Sequence, residues 1–192
     1  MSDIEMKCEI TLDGKDLYVD YEVANKGRFP IYLLNRLYSL IPAIKIDPDI
    51  VYVHFNEDSK LIELAKVLPQ LPNGYLVTSP YTPFVSAVAS RAKFTERICA
   101  KLPLREFRQY APELAGKEFE YIDKVWERIQ FRVGYFEGTA EVQEEVRKIA
   151  GEQVVFPKFP FGHKAVHGIL ESQVFEGKIP VQVRREKLPV IQ

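Results

Sequence analysis

Cysteine is scarce in this 192-residue chain, with two in all, Cys8 and Cys99, beside a single tryptophan and two methionines. Two cysteines are too few for a disulfide scaffold. Parity argues against pairing them as well. Cys8 shares a strand face with Ile10 and Leu12, whereas Cys99 alternates with Arg97 and Lys101 on the face that should be wet. Two free thiols are expected. Excess charge is also missing: Lys and Arg number 26 against 27 Asp and Glu, a formal net charge of −1. No global field therefore draws the chain to nucleic acid or to an anionic membrane. No apolar run reaches the ~20 residues needed to span a bilayer, and the opening MSDIEMKCEI has acids and no apolar run of leader length. The expected location is the cytosol, with neither membrane nor nucleic acid as a partner. Catalytic signatures are absent too. There is no phosphate-cradling glycine loop, G-x-S-x-G elbow, HExxH or paired-cysteine metal spacing. An enzyme whose residues meet only in three dimensions leaves no such trace, but no cofactor is expected.

What is present is period-two alternation. In Leu17 to Asn35, the residues Leu17, Val19, Tyr21 and Val23 share one parity, and Tyr18, Asp20 and Glu22 the other. A strand buries the first set and wets the second. Asn25, Lys26 and Gly27 form a turn, Pro30 suits a strand start, and Ile31 and Leu33 continue as a second, nearly apolar strand. Met6 to Leu12 alternates in the same way, and Asp13-Gly14 turns it into Leu17. Val51 to Phe55 and Leu61 to Leu68 read as strands, although the second also fits helical spacing. Arg91 to Leu102 is a strand with a basic face, on which Glu96 interrupts the otherwise apolar parity and requires a partner, a margin or a bulge. Phe119 to Ile129 has helix-compatible spacing, whereas Ile129 to Tyr135 reads as strand. Thr139 to Ala150 predicts a helix: Thr139 caps it, Val142, Val146, Ile149 and Ala150 form a stripe, the acids precede the bases, and Gly151 follows the end. Gln153 to Phe156, Val166 to Phe175 and Ile179 to Val183 are further strands. The tail is expected to be loose after Arg185.

The expected fold is mainly β, an antiparallel β-sandwich with one inserted helix at about 139–150. It forms a single domain over 1–192 with an elaborated part at about 137–192. The run Val19 to Ile31, with its strand, N-x-G-x-x-P turn and strand, resembles bacterial immunoglobulin-like domains, including the intracellular proteinase inhibitor type. That resemblance implies an immunoglobulin-like sandwich and, as an alternative function, protease inhibition.

Three features are candidates for function. Phe156, Phe159 and Phe161 lie in a segment with Pro157 and Pro160, which cannot donate to a central ladder; the rings either close the core or anchor a protein partner. Arg91, Lys93, Arg97 and Lys101 form the basic face, extended by Arg105 and Arg108, and offer contact to an acidic partner or simply a solvated surface. His163, His167 and Glu171 recur every fourth residue, but Pro160, Gly162 and Gly168 disfavour the helix that would gather them, so no metal is expected. The leading expectation is a noncatalytic cytosolic module that binds a protein partner or a second copy of itself. A small-ligand receptor or enzyme using the His163/His167 region is a further alternative, favoured if a deep pocket converges there.

Overall fold

The alternation predicted from sequence becomes strand through most of the chain. The computed structural model describes residues 3–186 apart from 41, 72, 75, 78–80, 112–113 and 163–164. Its first strands are β1 (Ile4–Asp13), β2 (Asp16–Asn25), β3 (Ile31–Arg36), β4 (Tyr38–Ser39) and β5 (Lys45–Ile46). There follow β6 (Tyr52–Asn56), β7 (Leu61–Lys66), β8 (Phe84–Val88), β9 (Lys93–Lys101) and β10 (Leu104–Arg105). The last are β11 (Phe119–Glu137), β12 (Gln143–Ile149), β13 (Glu152–Lys158), β14 (His167–Glu171) and β15 (Phe175–Glu186).

Two layers share the main core. A three-stranded antiparallel sheet, β1-β2-β9, contributes Ile4, Ile10, Leu17, Val19, Tyr21, Val23 and Ile98. A ten-stranded sheet answers with Leu33, Ile62, Leu64, Trp126, Ile129, Phe131, Val133, Ile179 and Val181. Tyr21 and Phe131 meet across the gap with ring centroids 4.8 Å apart. The chain passes between the layers at the corner after β2. There Asn25, only 1% exposed, donates through Nδ2 to the carbonyls of Phe29, Val88 and Ala89, and its Oδ1 accepts from Gly27 N.

The long β11 organises the larger sheet. One of its edges pairs with β15 and then β14, both antiparallel; the other pairs with β7 in parallel and then β3. Ile129 thus has Phe175 on one side and Ile62 on the other. Phe119 to Glu137 is one continuous strand despite its helix-compatible spacing, with a register shift between Trp126 and Arg128. That shift accounts for the mixed pattern, because it moves the buried set from even positions to Ile129, Phe131 and Val133.

The helix expected at 139–150 is not formed. Thr139 does cap a turn, with Glu141 N donating to Thr139 Oγ1 and Val142 N to Thr139 O, but the turn stops there. Gln143–Ile149 is strand β12, paired residue for residue with β13 through a two-residue turn at Ala150 and Gly151, both at positive φ. A glycine suited to end a helix serves equally well in a tight hairpin turn, and that hairpin satisfies the backbone of both strands. Phe156 and Pro157 likewise lie within β13 rather than outside regular structure. Pro157 is tolerated because pairing of β13 with β8 is confined to Val155 opposite Val85. Among the described residues no helix is long and apolar enough to cross a membrane.

Candidate functional site

Period two gives β7 two different faces. Ile62, Leu64 and Lys66 point into the interlayer core, while Glu63, Ala65 and Val67, just beyond the strand end, point outward. Polar chemistry gathers on both sides of this strand.

On the inner side, Lys66 has no exposed side-chain surface, and its Nζ donates to Glu96 Oε2 and to Pro48 O, both at 2.7 Å. Glu96 belongs to β9 in the opposite layer and also accepts from Tyr21 OH at 2.6 Å and Asn35 Nδ2 at 3.1 Å. This is the partner that the misplaced parity of Glu96 demanded. Burial pulls the Lys66 ammonium below its ordinary range, with Glu96 acting the other way. Burial, followed by the Glu96 charge, pushes the Tyr21 phenol well above 10, so it stays a donor. The network links the two layers through Lys66, Glu96, Tyr21 and Asn35, which marks it as structural cross-bracing between them.

On the outer side, β6, β7, β11 and β14 form the floor of a cleft of about 760 Å³. His54 stands opposite Glu63 in the β6–β7 pair, and Arg132 stands opposite Glu171 in the β11–β14 pair. Arg132 Nε lies 3.0 Å from Glu171 Oε1, and one of its terminal nitrogens lies 3.5 Å from Glu63 Oε1. His167, one register step beyond Ile169 on the same face, packs against Phe136 with ring centroids 5.5 Å apart. A wall is supplied by residues 106–110, pinned to β6 by reciprocal backbone bonds between Val53 and Phe107, each 2.9 Å. That segment brings Arg108 and Tyr110 to the cleft and places Glu106 3.1 Å from Arg108 Nε and 3.8 Å from His54 Nδ1. Leu68, Pro69 and Leu71 line a further side.

A tyrosine cluster stiffens one end. Tyr81 N donates to Tyr110 OH at 2.6 Å, Tyr38 N donates to Tyr81 OH at 2.6 Å, and the Tyr38 and Tyr81 rings stack at 4.4 Å. Burial raises the Tyr81 phenol to about 12 and the Tyr52 phenol further still, so both remain neutral at physiological pH. A second, more open depression of about 580 Å³ runs along the three-stranded layer. Two of its charge pairs are matched across the ladder, Asp20 by Arg97 and Glu22 by Lys93.

No family model, curated protein or solved structure matches the chain. The site therefore stands on its geometry alone.

The residues singled out from sequence are scattered. Lys93, Arg97 and Lys101 pair with Glu22, Asp20 and Asp16 across the β2–β9 ladder, while Arg91 lies exposed in a turn at positive φ. Phe156 packs on Phe84 and under Arg147, and Phe159 on Tyr32 and Phe136. Phe161 is fully exposed. His163 lies outside the described residues. Glu171 faces Arg132 and, with His167, occupies the outer face of β14. Of the sequence candidates, His167 and Arg108 line the cleft; His54, Glu63, Arg132, Tyr52 and Tyr110 join them unannounced.

Proposed function

We propose that this chain is a noncatalytic binding protein of immunoglobulin-like build whose outer cleft takes a small organic anion, an apolar body ending in a carboxylate or phosphate. The observation that carries the reading is the convergence of Arg108, Arg132, His54 and His167 on one cleft where Glu63 is the single acid among the described lining residues and Leu68, Leu71 and Ile169 add an apolar side. Clefts of a few hundred Å³ with a small number of directed polar groups suit small ligands. Guanidinium groups bind carboxylate and phosphate through charge-assisted, often bidentate hydrogen bonds. Leu68, Leu71, Ile169 and the Tyr52 ring supply the apolar contact. The immunoglobulin-like part of the reading rests on the Val19 to Ile31 run, now seen as a strand, an Asn25-anchored corner and a strand in the other layer. Free thiols at Cys8 and Cys99 suit a reducing compartment.

Calorimetric titration with a panel of aliphatic and aromatic carboxylates and phosphate monoesters tests the reading. At least one should bind saturably, and Arg132→Gln and Arg108→Gln should each weaken it by about tenfold or more. Absence of binding at millimolar ligand, or affinity unchanged in both variants, refutes it. The bare ring of Phe161 supports a second reading, contact with a protein partner. Phe161→Ala would then abolish capture of that partner while leaving the fold unchanged.

A further inference from the structure

Strand β12 ends the larger sheet, and no described strand pairs with its outer edge. The two-residue turn makes Ile149 and Glu152 a hydrogen-bonded pair, and the alternation then runs back along the hairpin. Val146 with Val155 is therefore a non-hydrogen-bonded pair, and the N–H and C=O groups of Glu144, Val146 and Lys148 point away from β13. An unpaired row of this kind is a template for another strand. Val146 is 56% exposed, and Lys148 makes no ion pair with any described residue.

The sequence of this edge, Gln143-Glu144-Glu145-Val146-Arg147-Lys148-Ile149, is complementary to itself when read in reverse. Antiparallel pairing about a two-fold axis through Val146 sets Val146 opposite Val146 of the second copy. Glu144 then faces Lys148, and Glu145 faces Arg147, on both sides of the axis. Opposite charges directly across an antiparallel pair are favourable, and each facing pair here lies on one sheet face. A shift by two residues breaks the match by setting Glu145 against Glu145 or Arg147 against Arg147.

We propose that β12 is a homodimerisation edge, on which a second copy of this chain adds its own β12 antiparallel with Val146 on the two-fold axis, making one continuous sheet through both copies. The occupant is a second copy because the charge pattern is matched to itself, and an isologous contact closes after two subunits. The contact is small, so association is weak, with a dissociation constant on the order of 10–100 µM. It is independent of the ligand cleft, which lies on other strands.

Sedimentation of the full chain from about 5 µM to about 1 mM tests this. The native chain should pass from monomer to dimer. Glu144→Lys with Glu145→Lys, and separately Arg147→Glu with Lys148→Glu, place like charges opposite one another and should each raise the dissociation constant by about tenfold or more. An equimolar mixture of the two variants restores every opposite pair and should form a heterodimer. Circular dichroism establishes that each variant keeps its strand content. A native chain that stays monomeric throughout, a dimer that persists in both variants, or a mixture that does not associate overturns the proposal. Monomeric behaviour would also be the result if the edge served a strand from another protein.

Discussion

Asn25 shows how much one side chain can hold. Its amide is buried, donates toward three carbonyls on two different segments and accepts from Gly27, so it fixes the corner that carries the chain from one layer to the other. Asn25→Ala should lower unfolding free energy by about 2–3 kcal/mol in urea titration, because the carbonyls lose their donor. Asn25→Asp should be worse, since it turns a carboxylate toward those carbonyls; equal stability of these two variants would count against this role for the corner. The Lys66–Glu96 pair makes a different prediction. Removing one partner, as in Lys66→Met, leaves a largely buried charge and should cost about 3–5 kcal/mol, whereas Lys66→Met with Glu96→Leu should recover much of it. Chemical denaturation of the two single variants and the double variant measures the coupling, and simple additivity would rule out a paired role.

At the scale of elements, Glu145 ties the two strands of the β12–β13 hairpin at their exposed face, pairing with Arg147 on its own strand and with Lys158 on the other. Its carboxyl is held down, to about 2 from an ordinary 4.5, by hydrogen bonds from Arg147 and Lys158 and by their charges. A depressed carboxyl stabilises the fold above its unfolded value and loses that contribution as pH falls through the folded value. Protection of β12 and β13 amides from hydrogen exchange should therefore decline between about pH 4.5 and pH 2, and Glu145→Gln should flatten that decline. The same segment shows what was legible in the sequence. Its acids-then-bases order and its apolar spacing describe a helix and a self-complementary strand equally well, and only the paired Glu152–Lys158 decides between them. Most other strands followed from alternation, and Glu96 was recognisable as a residue in need of a partner. Lys66 was not, because nothing local shows that β7 would lie parallel to β11 and turn its last residue toward β9. The cleft was hidden for the same reason. His54, Glu63 and Arg132 are ordinary polar positions on alternating strands until pairings far apart in sequence set them on one face.

For the whole molecule, the two faces of the ten-stranded sheet divide the work: the inner face is closed by the small sheet and braced by Lys66 and Glu96, and the outer face carries a cleft with a charged floor and an apolar side. A ligand held there at a hundred times its dissociation constant would add about 2.7 kcal/mol of stability and raise the melting temperature by roughly 5–10 °C. Binding should weaken as salt rises, because the head group is held by guanidinium charges near the surface. The most direct test is to follow the histidine and tyrosine ring resonances by nuclear magnetic resonance while the carboxylate and phosphate panel is titrated in. A binding ligand should move the rings of His54, His167, Tyr52 and Tyr110 and leave Tyr21 in place. Shifts confined to other surfaces, or none at saturating ligand, would contradict a ligand-binding role for the cleft.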